Sequence, residues 1–181
     1  LLQLGELPKE SLVAGMPVSL KSGEDEDMAT KVSYLMAPFF TNEANDLKRL
    51  KRVIKVTKHG KEELGNVSSA AAMDYYAMIM VPSILLTVTG NATKVRPPSN
   101  TILSNVPGAK KKLYLDGAEL EALYPLSIVT DGMGLNITTV SYAGKLCIAI
   151  VSCPTEQPGI EDFGKLIRES YRKLRDAVNA L

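Results

Sequence analysis

Leu135-Asn136-Ile137-Thr138-Thr139-Val140-Ser141-Tyr142, then Ala143-Gly144, then Lys145-Leu146-Cys147-Ile148-Ala149-Ile150-Val151-Ser152-Cys153: this stretch decides the fold. Two β-rich runs joined across a two-residue Ala-Gly break read as a hairpin. In the first run Leu135, Ile137 and Thr139 face one way, and Asn136, Thr138 and Val140 the other. The second run is apolar throughout, which predicts cover on both of its faces. Just upstream stands Asp131-Gly132-Met133-Gly134, a turn sequence, and before it Thr101–Val106, a strand that stops at Pro107-Gly108. Between them lie a basic turn at Lys110-Lys111-Lys112, a short strand at Leu113-Tyr114-Leu115 and a turn at Asp116-Gly117. The following Glu119–Leu126 reads as irregular or as a short helix.

Outward from this centre the pattern alternates between strands and helices. Leu12–Leu20 and Lys31–Phe40 read as strands, the first marked as an edge or bulged strand by Pro17. Between them the run Glu24-Asp25-Glu26-Asp27 reads as a solvated loop. Asn45–Leu64 carries Leu47, Leu50, Val53, Ile54, Thr57 and Leu64 at helical spacing. Its other face bears Lys48, Arg49, Lys51, Arg52, Lys55, Lys58 and Lys61, which suits either solvent or anionic headgroups. Val67–Val88 is apolar nearly all round. Such a helix is buried in the core, walls an acyl-chain pocket or presses on a membrane. Met73, Tyr76, Met80 and Ile84 are its candidates for acyl-chain or membrane contact. Pro82 predicts a kink or a split, and the uninterrupted part falls short of a membrane span. Ile160–Leu181 is amphipathic and predicts core packing through Phe163, Leu166, Ile167, Tyr171, Leu174, Val178 and Leu181. The order is strand, strand, helix, helix, strands, helix. It predicts an α/β fold whose mixed sheet is covered by helices on one face.

The totals fit one domain of 181 residues, 45% hydrophobic and 23% charged. A net charge of +1 removes any global attraction to nucleic acid. Cys147 and Cys153 would stand roughly 20 Å apart on one strand, far beyond the about 7 Å a disulfide allows, so they read as small buried hydrophobes of a reducing compartment. There is no GxGxxG, Walker loop, CxxC or HExxH, and no metal set. Ser104, Asp131 and the lone His59 have no spacing that supports a triad. His59 lies on the polar helix face, so the chain holds no credible general base in a polar pocket. The Asn-X-Ser/Thr triplets at Asn66, Asn91 and Asn136 read as chance matches or as hydrogen-bonding residues. Asn105 and Asn136 stand out as amides inside strand-like sequence. Each either satisfies backbone groups at a bend or presents a polar group to a carbonyl or its oxyanion.

Ser104-Asn105-Val106-Pro107-Gly108, Leu113-Tyr114-Leu115-Asp116-Gly117-Ala118, Leu123-Tyr124-Pro125-Leu126-Ser127, Asp131–Thr138 and Ser141–Leu146 together resemble the C-terminal domain of the bacterial wax ester synthase/acyl-CoA:diacylglycerol acyltransferase family. Met16-Pro17-Val18-Ser19-Leu20-Lys21 resembles that family's Val-Pro-Val-Ser-Leu-Arg strand. Lys21 stands where the family has Arg, and Ala29-Thr30 where it has Gly-Asn; Lys and Arg are not equivalent at a bidentate anion contact. The resemblance implies one half of a chloramphenicol acetyltransferase-like fold, with the active site in a tunnel between two halves. The whole chain, 1–181, is then the C-terminal acyltransferase domain. The family's His-His-x-x-x-Asp-Gly motif has no match in these 181 residues and is expected on an N-terminal half, the first partner.

The implied reaction moves a fatty acyl group from acyl-CoA, a co-substrate with no further cofactor, to a fatty alcohol or diacylglycerol. Asn105 and Asn136, supported by Ser104 and Thr138, are the expected polar or oxyanion contacts, and Val106, Pro107 and Gly108 shape the strand end. A peripheral membrane or lipid-inclusion surface and a homodimer are the further partners implied, in the cytoplasm. Two other readings stay open: a non-catalytic lipid- or acyl-binding module, and a condensation-domain-like relative that takes carrier-bound acyl groups.

Overall fold

In the computed structural model, residues 9–20, 32–94, 97–155 and 159–180 are described. The acidic run Glu24–Asp27, Lys21 and Ala29-Thr30 lie outside the described residues. The strands are β1 Val13–Ser19, β2 Val32–Pro38, β3 Thr101–Pro107, β4 Tyr114–Leu115, β5 Ala118–Glu119, β6 Leu135–Tyr142 and β7 Lys145–Ser152; the helices are α1 Asp46–Gly65, α2 Ser69–Val88 and α3 Phe163–Asn179. Five strands form one mixed sheet in the order β2-β1-β3-β6-β7, and β4 and β5 form a small separate ladder.

The expected hairpin is present. β6 and β7 pair antiparallel from Leu135↔Ser152 to Tyr142↔Lys145. Ala143 and Gly144 both take positive φ, the conformation a two-residue turn between right-twisted strands needs. β3 lies parallel to both β1 and β6, so the sheet is parallel at its centre and antiparallel at its edges. Register sorts the side chains. Leu35, Ala14, Thr101, Leu103, Asn105, Ile137 and Thr139 share one face. Tyr34, Ile102, Ser104, Asn136, Thr138, Val140 and Tyr142 share the other.

Helix α1 begins where its sequence says it should. The Asn45 side chain accepts from the Lys48 N–H as an N-cap. It packs on β2, with α3 beside it. Helix α2 touches both faces of β2: the Ser33 hydroxyl donates to the Ala72 carbonyl at 2.8 Å, and Tyr76 stacks on Tyr34 with ring centroids 5.3 Å apart. Consecutive strand residues point to opposite faces, so α2 runs along the free edge of β2 and covers it. The second face of the sheet is covered by a long excursion between β3 and β6. The Tyr142 hydroxyl ties it down, donating to the Leu120 carbonyl (2.7 Å) and accepting the Leu113 N–H (2.9 Å). Within the excursion Lys112 and Glu119 pair at 2.7 Å, and that hydrogen bond holds the Glu119 carboxyl below its usual range.

Five expectations are corrected. Pro82 does not break α2, which is one helix of 20 residues. Proline removes one N–H and crowds one carbonyl, and Pro82 sits on the exposed side of the helix. A core role for α2 is also overturned, because Ala72 is its only buried residue. β7 is an edge strand and not covered on both faces, with Leu146 and Ile148 exposed. In α3 no residue is buried, and Tyr171 and Val178 face outward. Cys147 and Cys153 form no disulfide with each other, and both are half-buried and not buried. Of Glu119–Leu126, read as irregular or as a short helix, Glu119 pairs in β5 and the rest takes no regular structure.

Candidate functional site

The parallel pair β3–β6 positions every polar residue singled out between Ser104 and Thr138. Its register pairs Ser104 with Thr138 and Asn105 with Thr139. Ligand sites in open α/β sheets form beyond the carboxyl ends of the strands, and Asn105-Val106-Pro107 is the carboxyl end of β3, exposed at all three residues. Gly108 closes that end. Its N–H donates to the Ser141 hydroxyl at 3.2 Å, and a Cβ there would stand 2.1 Å from the Ser141 carbonyl oxygen. Only glycine allows β3 to turn away so close to β6.

The structure separates the two amides. Asn136 lies on the face covered by the excursion and is buried. Its Nδ2 donates to the Ser127 hydroxyl (3.0 Å) and the Ile128 carbonyl (2.9 Å), and its Oδ1 accepts from the Thr138 hydroxyl (3.0 Å). Both amide hydrogens and the amide oxygen are engaged, so the group clamps the excursion onto the sheet. Thr138 belongs to that clamp, while Ser104 is half-buried beside it.

Asn105 lies on the opposite face and is exposed. Its Oδ1 accepts from the Thr139 hydroxyl at 2.8 Å. No bond from its Nδ2 to a described residue is present, which leaves an NH₂ donor directed outward at the strand end. Of the two amides only Asn105 can offer hydrogens to a carbonyl oxygen. Thr139 was not singled out from sequence. The one signal for it was register, since no local pattern pairs residues 34 apart.

The apolar surface is α2. Met78, Ile84, Leu85 and Val88 are 68%, 56%, 62% and 79% exposed. Of the four candidates on this helix, Met73 and Ile84 face outward, while Tyr76 turns inward onto Tyr34. Met80 lines an apolar groove with Ile84, Ala92, Pro97 and Met133, where the helix passes the Asp131-Gly132-Met133 turn. By length and composition alone the whole of α2, Asp74 and Pro82 included, could cross a membrane. A second hollow lies between β2, α1 and α2, lined by Leu35, Leu64, Val67, Ala72 and Tyr75.

The chain has one histidine. His59 is exposed on α1 with Glu63 at 3.9 Å. It sits on the helix that packs on β2. Among the described residues no group of His, Cys, Asp or Glu could hold a metal ion.

The profile of the family described as WS/DGAT C-terminal domain matches residues 29–175. The chain is 33% identical to the O-acyltransferase WSD of Acinetobacter baylyi, over 98% of this chain and 38% of that protein. It is 33% identical over 98% of its length to 36% of a Mycobacterium tuberculosis protein named for diacylglycerol O-acyltransferase activity. A solved structure, the wax ester synthase/diacylglycerol acyltransferase from Marinobacter aquaeolei VT8, superposes on 98% of this chain with a TM-score of 0.82 at 25% identity, and 40% of that structure is covered. The chain thus spans 36–40% of the length of these relatives.

Proposed function

Because the chain belongs to the WS/DGAT C-terminal domain family, we propose that it is the C-terminal part of an O-acyltransferase that moves a fatty acyl group from acyl-CoA to a fatty alcohol or diacylglycerol. The observation that carries this reading is the match over 98% of the chain to the O-acyltransferase WSD. The chemistry of the described residues fits a supporting role. Transfer requires a base to take the hydroxyl proton, attack of the alcohol oxygen on the thioester carbonyl, and departure of the CoA thiolate with a proton. On this reading the base is a histidine in the part of the polypeptide that corresponds to the relatives' unmatched length. What this chain supplies is the exposed Asn105 NH₂ at the β3 end. There it can donate to the carbonyl oxygen as negative charge develops on it. The exposed face of α2 provides the apolar surface along which acyl chains, or the lipid layer that holds them, make contact.

A complete polypeptide carrying this chain should release CoA thiol and form ester when given a long-chain acyl-CoA with hexadecanol or a diacylglycerol. Absence of both products with either acceptor overturns the assignment. Binding of acyl-CoA without turnover would favour instead the acyl-binding module, a reading supported by the lack of a base among the described residues.

A further inference from the structure

We infer that Thr139 is a positioning residue that holds the Asn105 amide with its NH₂ outward. The inference rests on the reading of Asn105 as the carbonyl donor. An asparagine amide turns through two nearly equivalent states about its last torsion, and at an exposed strand end nothing steric selects one. The two states are opposite in effect. The NH₂ stabilises a developing oxyanion, whereas the amide oxygen repels it. In the structure the choice is made across the strand pair. Thr139 stands opposite Asn105 in the β3–β6 register, on the same face. Its Oγ1 lies 2.8 Å from Asn105 Oδ1 and 3.3 Å from the Ser104 carbonyl. With the proton on the shorter contact, Thr139 donates to the amide oxygen; the flipped amide would instead donate its NH₂ to Thr139 Oγ1 and send the hydroxyl proton to the Ser104 carbonyl over the longer 3.3 Å. Thr139 itself is half-buried in β6, and a β-branched side chain in a strand has a restricted χ1, so its hydroxyl is a fixed reference for the mobile amide.

The test is a set of variants of the complete polypeptide, measured by kcat, KM for acyl-CoA and melting temperature. Asn105→Ala should lower kcat by about 10²-fold, the effect of losing one oxyanion donor. Thr139→Val should lower kcat about tenfold with KM unchanged, since it misorients the donor without removing it. Thr139→Ser should restore kcat to within about twofold, because the donor hydroxyl returns. The double variant Asn105→Ala/Thr139→Val should be no slower than Asn105→Ala alone, because Thr139 then has nothing left to orient. A wild-type kcat for Asn105→Ala removes the donor reading and this inference with it. If Asn105→Ala is slow but Thr139→Val is at wild-type rate, the positioning role is overturned while the donor stands. Thr139→Ser as slow as Thr139→Val, or a double variant slower by the product of the two, overturns it in the same way.

Discussion

Two asparagines that look alike in the sequence differ because one has spent its hydrogen bonds. Asn136 is buried with Ser127, Ile128 and Thr138 as its partners. Removing it leaves a hydroxyl and a carbonyl without their donor inside the fold. Asn136→Ala should therefore destabilise by about 2 kcal/mol, measured by urea unfolding. A change within error would show that water replaces the amide. Tyr34 sets a second residue-scale expectation. Its burial, and secondarily the neighbouring Tyr76, push its pKa from 10.0 to about 12. Between those values the unfolded chain gives up the phenol proton while the folded chain keeps it, so stability falls as pH rises from about 10 to 12. Tyr34→Phe keeps the ring stacked on Tyr76 and removes this proton. Unfolding at pH 9 to 12 should then show a shallower alkaline loss than in the wild type, and an identical slope would locate the alkaline titration elsewhere.

At the scale of elements, α2 departs furthest from what its composition suggests. An all-round apolar helix is ordinarily buried, yet this one packs only by the side that holds Ala72, Tyr76 and Ser83, at a sheet edge. Its outer face, Val81, Ile84, Leu85 and Val88, carries exposed apolar area beyond what a solvated helix presents. Replacing Val81, Ile84 and Leu85 together by Gln should leave the melting temperature within about 3 °C, because exposed sites contribute little to folding. The same change should reduce co-sedimentation with phosphatidylcholine/phosphatidylglycerol vesicles if the proposed lipid contact runs through this face. A large fall in melting temperature with unchanged vesicle binding would mean that the face packs against protein.

At the scale of the molecule, the sheet order shows why the central stretch mattered. β3 and β6, the strands that carry the Asn105 and Asn136 motifs, are adjacent and parallel, with 27 residues between them in sequence, Gly108 to Gly134. Parallel neighbours need a long connection, and here it is not a helix but the excursion folded back over one face. The amides consequently fall on different faces of one sheet. The end of β3 is left open to whatever completes the enzyme in the relatives, and the buried clamp holds the cover in place.

Much of this was legible in the residues. Strand and helix positions followed from periodicity, the Ala143-Gly144 turn from its two residues, and the family from short motifs such as Ser104–Gly108, since these depend on local geometry and local chemistry. Which faces are covered was not legible. Apolar β7 and α2 have the composition of buried elements and stand at the edges of the sheet, because burial depends on what lies alongside and not on the element's own residues. The sequence by itself determined the elements, the family and the presence of a single histidine. Only the tertiary structure decided that Asn136 is consumed in a clamp while Asn105, held by Thr139 through its oxygen, keeps its NH₂ outward, because strand register, set by pairing between distant segments, assigns each side chain its face and its partners.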